Sequence, residues 1–158
     1  MGKFLLLLIV VVAVIALLAF LKTKSKSEPK DALWPFYAKK PLSQPEQILY
    51  FRIVQALPEH IVLAQVQLSQ LLGVKKGNNY QAWLNRISRM SADFVVCNKD
   101  SSIVAVIELD DSTHQRQDRQ VADKKKEKAL ASAGIRIIRW NVKSIPDIAV
   151  IQSSVKQG

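Results

Sequence analysis

The sequence has 158 residues, with 23 Lys and Arg against 13 Asp and Glu, and its formal net charge is +10. The length suits one domain of ordinary size with an appendage. Cys97 is the single cysteine, which excludes both a disulfide-stapled domain and a zinc site built from several cysteines. The many aliphatic and aromatic residues beyond residue 21 exclude a wholly disordered chain.

Residues 4–21 contain no charged or polar side chain. Eighteen residues at about 1.5 Å each give a helix of about 27 Å, close to the thickness of the bilayer hydrocarbon. A cleaved signal peptide is the alternative, but its apolar region is usually about 7 to 15 residues long and ends in an A-x-A-like site. Leu17-Leu18-Ala19 matches that site poorly, and Val14-Ile15-Ala16 matches it weakly. The pattern therefore favours a transmembrane anchor within residues 1–21.

The lysines around this segment predict its orientation. Lys3 precedes the apolar run, and six lysines follow it within residues 22–41, a segment that also holds three prolines. The side with more lysine normally faces the cytoplasm. We therefore predict a single-pass protein of the inner membrane with its N-terminus outside, a basic linker over residues 22–41, and a cytoplasmic domain over residues 42–158.

The domain is predicted to open with a helix. Ser43 suits the N-cap, Pro45 suits the first turn, and Glu46 stands at the position that closes a capping box. Pro58 ends this helix. The following elements are a strand over 61–68, a short helical turn over 69–74, a helix over 80–90, strands over 93–97 and 103–109, a basic helix over 118–133, a strand over 135–140, and a last helix that opens at 144–147 and frays near 153. Interleaved helices and strands predict an α/β or α+β domain.

Acidic residues stand at equivalent positions of the two strands in the middle of the domain. A tight turn centred between Asp100 and Ser101 places Asp93 opposite Glu108, and the two-residue period of a strand carries Asp110 to the same face. Facing carboxylates repel each other, and a hard cation such as Mg²⁺ or Mn²⁺ relieves that repulsion. The pattern therefore predicts a metal site at Asp93, Glu108 and Asp110. Alternatively, Asp93 caps the preceding helix and Asp110 is only a turn residue.

Two strings in this region resemble a known family. Asp93-Phe94-Val95-Val96 and, after the hairpin, the run from Val106 to His114 (VIELDDSTH) resemble the PD-(D/E)XK nuclease-like superfamily. The similarity is closest to its "domain of unknown function 2726" family, in the branch of the very-short-patch repair endonucleases, and covers residues 42–142. It implies a restriction-endonuclease-like core, a central mixed sheet flanked by helices. Glu46 matches a carboxylate on the first core helix, and Gln65 lies in the early strand; each also has a purely structural interpretation.

The resemblance implies a nuclease mechanism with one departure. In the superfamily, two acids bind Mg²⁺ and a lysine two positions after the second acid orients the attacking water, but this chain has Asp110 there. His114 is the preferred replacement, because imidazole accepts protons at neutral pH; Lys124 and Lys126 are weaker candidates. The implied catalytic residues are Glu46, Asp93, Glu108, Asp110 and His114.

Basic residues predict contact with nucleic acid, with DNA preferred over RNA. Beyond residue 41 the chain has 16 basic and 11 acidic residues, and this excess suits phosphate contacts. The candidate contacts are Arg119, Lys124, Lys125, Lys126 and Lys128. They could also form a solvated helix face. The leading hypothesis is a membrane-anchored, metal-dependent nuclease; an inactive nucleic-acid-binding module and a protein-interaction module on the same fold are the alternatives. The oligomeric state stays open.

Overall fold

The computed structural model describes residues 2–23, 33–111 and 117–157, except for the side chains of Leu5 and of residues 19–23 and 117–119. The chain divides into two compact units, Met1–Lys39 and Lys40–Gly158.

The first unit contains helix α1, Gly2–Thr23, and a stretch without regular secondary structure over residues 33–39. A search of the described residues finds no helix that is long and apolar enough to cross a membrane. The membrane anchor, its orientation and the linker stay predictions.

The second unit opens with helix α2, Gln44–Ala56, as predicted. The backbone N–H of Ser43 donates to Glu46 Oε2 at 2.6 Å, which is the Glu46 half of the capping box. The helix ends before Pro58, with Leu57 as its C-cap. This cap fixes Glu46 at the first turn, where its second carboxylate oxygen is available to the sheet.

Four strands form one mixed sheet in the order β1-β2-β3-β4. They are β1 Ile61–Gln67, β2 Ser91–Cys97, β3 Ile103–Asp110 and β4 Ile137–Asn141. The first three are antiparallel, and β4 runs parallel to β3. A parallel pair needs a crossover; helix α5, Gln117–Ser132, lies within it, and Gly134 follows the helix at φ +72°. The predicted mixed sheet flanked by helices is confirmed.

The remaining helices correct the sequence prediction in detail. They are α3 Leu68–Leu71, α4 Tyr80–Ile87, a 3₁₀ turn Val142–Ser144, and α6 Ile148–Lys156. Helix α4 ends at Ile87, because the backbone of Met90 turns to accept a hydrogen bond from Leu68 N. Helix α6 starts later than predicted, at the Asp147 cap, and continues past residue 153 because Ile151 and Val155 are buried.

The sheet separates two apolar clusters. One contains Leu49 and Ile53 of α2, Phe94 and Ile107 of the sheet, and Ile151 and Val155 of α6. The other contains Leu68, Leu130 of α5, and Val95 and Val106 of the sheet. Because side chains alternate along a strand, Glu108 shares the face of Val106, and Asp93 interacts electrostatically with Glu108 and with Lys126 of α5. That face is the one covered by α5.

Candidate functional site

The hairpin register aligns the two acidic residues that the sequence singled out. Phe94 pairs with Ile107 and Val95 with Val106, and a bulge lies beyond Val96, on the turn side. Continuing this register by one residue sets Asp93 opposite Glu108. The backbone N–H of Leu109 also donates to Asp93 Oδ2 at 2.9 Å, which ties the Asp93 side chain to the neighbouring strand.

Lys126 of α5 reaches across to Glu108. Its Nζ lies 2.7 Å from Glu108 Oε2, and the two side chains are only 13% and 4% exposed. The other oxygen, Glu108 Oε1, is buried with no hydrogen-bond partner in the structure. Burial raises the pKa of Glu108 to about 7, against the opposing effect of Lys126. The site is therefore a buried ion pair with one unused acceptor.

Asp93 lies within the same electrostatic environment. Burial raises the pKa of Asp93, and the negative charges of Glu46 and Asp110 act in the same direction. The Leu109 N–H and the Lys126 ammonium oppose that shift. Asp93 in turn raises the pKa of Glu108. Because these carboxyl groups sense one another, the charge state of one depends on the others.

Gln65 links helix α2 to the acidic residues of the sheet. Its Nε2 donates to Glu46 Oε1 at 2.7 Å, so Glu46 serves both its helix cap and the sheet. Gln65 has φ +53°, a left-handed conformation that is rare outside glycine. Ala64 pairs with Phe94 and Val66 with Ala92, so the register places Gln65 opposite Asp93. A strained residue within a strand is a feature of functional sites.

Asp110 also contacts a cation that the sequence did not predict. Both of its carboxylate oxygens lie 3.2 Å from Arg139 Nη1, and Arg139 pairs with Glu108 in the β3–β4 register. Asp110 is 48% exposed. Across the described ranges, no group of three or more His, Cys, Asp or Glu side chains is arranged to hold a metal ion. The three-carboxylate metal site stays a prediction, in which Glu108 is buried and Asp93 is partly buried.

The remaining predicted residues divide into two groups. His114 lies outside the described residues, as does the side chain of Arg119. Lys124, Lys125 and Lys128 are exposed on α5, which suits contact with phosphates. Lys126 instead faces the sheet. The sequence contained a signal for this, because Lys126 lies one helical turn before the buried Leu130 and so shares its face.

The fold and these contacts define a mixed α/β protein with a buried carboxylate–lysine site beneath a helix. The family model described as "Protein of unknown function (DUF2726)" matches residues 38–157. The chain belongs to this family, which confirms the family resemblance seen in the sequence. No curated protein and no solved structure matches the chain.

Proposed function

We propose that this protein is a metal-dependent phosphodiesterase of the PD-(D/E)XK type that acts on nucleic acid. The observation that carries the proposal is the 2.7 Å contact between Lys126 Nζ and Glu108 Oε2, largely buried beside Asp93. A buried ion pair is usually no better for stability than apolar residues of the same volume. A pair kept in such a place therefore favours a chemical role over a structural one.

The donor set suits a small divalent cation. Mg²⁺ is commonly held by one or two carboxylates, with water and substrate phosphate completing its shell. Asp93 and Glu108 would supply the carboxylates, and the unpartnered Glu108 Oε1 is an acceptor that such an ion would satisfy. Mg²⁺ or Mn²⁺ would supply Lewis-acid polarisation of a phosphate and a more acidic water. A buried and a partly buried carboxylate with raised pKa values also gain most from a neighbouring cation.

Lys126 takes the place of the lysine that is missing at position 110. Its ammonium opposes the rise in the pKa of Glu108 and so favours the ionised carboxylate. It can donate further hydrogen bonds to an attacking water or to a phosphate oxygen, where negative charge grows during the reaction. Glu46 and Gln65 support the acidic residues Asp93 and Glu108 from the side of β1, and Arg139 neutralises Asp110. His114 remains a second candidate for the proton acceptor.

The proposal includes a membrane tether. The support is the uncharged run over residues 4–21 and the excess of lysine after it. Such a tether would hold the phosphodiesterase domain at the cytoplasmic face of the inner membrane.

The test is cleavage by the full chain purified in detergent. Plasmid, linear duplex, single-stranded DNA and RNA are incubated with Mg²⁺, with Mn²⁺, or with EDTA. We expect metal-dependent cleavage that Asp93→Asn or Glu108→Gln abolishes. Lys126→Met should slow it by about 100-fold, since it removes a charge-stabilising group.

Lys156→Met is the matched control, because Lys156 is an exposed lysine of α6 that is not among the predicted phosphate contacts. Unchanged cleavage by Lys126→Met would contradict the role of that residue. Binding without cleavage under every metal condition would favour the inactive nucleic-acid-binding module, and neither binding nor cleavage would favour a protein-interaction module.

A further inference from the structure

Helix α4 and the loop before it carry a surface that the proposed chemistry does not use. We call the exposed cationic and aromatic residues of this helix and of its two flanks the α4 surface: Lys75, Lys76, Tyr80, Trp83, Arg86 and Arg89. Four of the six are cations and two are aromatic. The sequence holds no acidic residue between Glu59 and Asp93. The surface is therefore strongly positive as well as aromatic.

The cations of this surface are available to a partner. Among the described residues, none of the four takes part in a salt bridge. Four unneutralised charges within 15 residues attract an anionic ligand, and the attraction weakens as salt rises. The charge alone suits nucleic acid, an acidic polypeptide or anionic lipid equally well.

The aromatic residues distinguish among these partners. Tyr80 is 59% exposed and Trp83 is 48% exposed, although both are large rings. They stand three residues apart on one helix and so lie on neighbouring positions of one face. The Arg86 guanidinium carbon lies 4.2 Å from the centre of the Trp83 ring. Nucleobases stack on aromatic rings and on arginine planes, whereas acidic side chains and lipid headgroups offer no flat ring.

Bases are available for such stacking only when they are unpaired, because a duplex buries their faces.

The helix that carries the α4 surface is capped at its start, since Asn79 Oδ1 accepts a hydrogen bond from Ala82 N at 3.0 Å. Helix α4 contacts α5, the helix that carries Lys126. A nucleic-acid strand bound to α4 would therefore lie next to the helix that covers the proposed site.

We propose that the α4 surface binds single-stranded nucleic acid through phosphate contacts and base stacking. Its link to cleavage rests on the proposed function, but binding itself does not. The substrate class would then be a chain with unpaired bases, such as a single strand, a frayed end or a flap, in DNA or RNA. Tyr80 and Trp83 select unpaired bases, and the four cations supply affinity without sequence preference.

Binding is measured by fluorescence anisotropy with the full chain in detergent and EDTA, so that no cleavage intervenes. The probes are a 20-nucleotide oligo-dT, the matching oligo-U and the dT·dA duplex. We expect the single strands to bind at least tenfold more tightly than the duplex. Trp83→Ala should weaken single-strand binding by about tenfold, and Trp83→Phe should retain most of it.

The charge contribution is tested separately. Replacing Lys75 and Lys76 together by Ala should make the plot of log affinity against log salt shallower by about 1.4, at about 0.7 per contact with a single strand. Phe51→Ala is the matched control for the ring variants, because Phe51 is a 67% exposed ring on α2 and its loss should not affect binding. Tyr80→Ala offers a second loss of a ring if Trp83→Ala does not fold, which thermal melting by circular dichroism shows.

Equal affinity for duplex and single strand, or wild-type affinity in folded Trp83→Ala and Tyr80→Ala, overturns the proposal. Displacement of the oligonucleotide by polyglutamate at equal charge concentration overturns it in favour of an acidic polypeptide. Preference for oligo-dT or oligo-U identifies the natural strand and supports the proposal in either case. If single strands bind through stacking but are not cleaved in Mg²⁺, the proposal for the α4 surface holds and the proposed phosphodiesterase activity is contradicted. If the protein cleaves nucleic acid but the ring variants bind it as the wild type does, the phosphodiesterase holds and the proposal for the α4 surface is contradicted.

Discussion

Glu108 has the most altered ionisation among the residues of the site. It is 3% exposed, it lies beside Asp93, and the Lys126 ammonium balances its charge, with a smaller effect from Arg139. A carboxyl group that stays protonated to about pH 7 is neutral or ionised depending on what binds next to it. A bound cation would favour ionisation, so in the proposed metal site proton release would accompany metal binding.

This ionisation predicts a pH dependence of stability. The pKa of Glu108 rises from 4.5 in its ordinary state to about 7 in the folded protein, so the folded state holds the proton more tightly. The stability from this protonation is fully present below pH 4.5 and is lost as the pH rises through 7. Relative to Glu108→Gln, which does not titrate, the wild type should lose about 3 kcal/mol of unfolding free energy between pH 4.5 and 8.

Urea denaturation in EDTA at pH 4.5 and at pH 8 measures this difference. Glu59→Gln is the control, because Glu59 is an exposed partner of Lys99 whose pKa is lowered by that contact. Its effect on stability should change little over this range. A Glu108→Gln effect that is the same at both pH values would show that Glu108 is ionised throughout and would contradict the raised pKa.

At the level of single elements, the hairpin of β2 and β3 is the part of the site that the sequence predicted best. The short polar turn and the two apolar runs leave one plausible register, because a one-residue slip would move every apolar side chain to the wrong face. The alignment of Asp93 with Glu108 follows from that register. The contact of Lys126 with Glu108 was harder to predict, because it depends on how α5 docks on the sheet and not on local spacing.

Gln65 shows where prediction from sequence ended. Its side chain reaches Glu46 from a backbone with φ +53°, and neither its residue type nor its neighbours signal a left-handed residue inside a strand. The Glu46 that it contacts lies on α2, and local sequence around Gln65 carries no sign of that contact. His114 was the preferred proton acceptor on chemical grounds, but it lies outside the described residues, so that prediction stays open.

The end of α5 gives a prediction for this element. Gly134 follows the helix at φ +72°, and a Cβ added there would meet no atom within 4 Å. The cost of a side chain is therefore backbone strain alone, and Gly134→Ala should lower the unfolding free energy by about 1 kcal/mol. Gly73→Ala is the matched control, because Gly73 has equal space around it and no positive φ. Denaturant titration of both variants measures the effect, and equal stabilities would contradict the strained cap.

On the scale of the whole molecule, the structure divides into two compact units, and the division into anchor, linker and domain over residues 1–21, 22–41 and 42–158 stays a prediction. An apolar segment and a lysine-rich stretch precede residue 40, and the mixed α/β domain follows it. Composition favours such a division, because long uncharged runs and alternating apolar patterns differ strongly. It says nothing about the partner of the domain, which depends on surfaces such as that of α4.

The last prediction concerns the topology of the full chain. If residues 4–21 span the inner membrane with the lysine-rich side inside, the domain is shielded from the outer medium. Protease added to intact spheroplasts should leave a C-terminally tagged chain uncut, and the same protease should degrade it after lysis by detergent, which is the control. Replacing all six lysines of residues 22–41 by Gln should weaken the orientation and expose part of the population, because those charges set it. Digestion of the wild type in intact spheroplasts would contradict the orientation. Release of the domain into the medium would indicate a cleaved signal. Recovery of the uncut chain in the soluble fraction after lysis without detergent would contradict the tether itself.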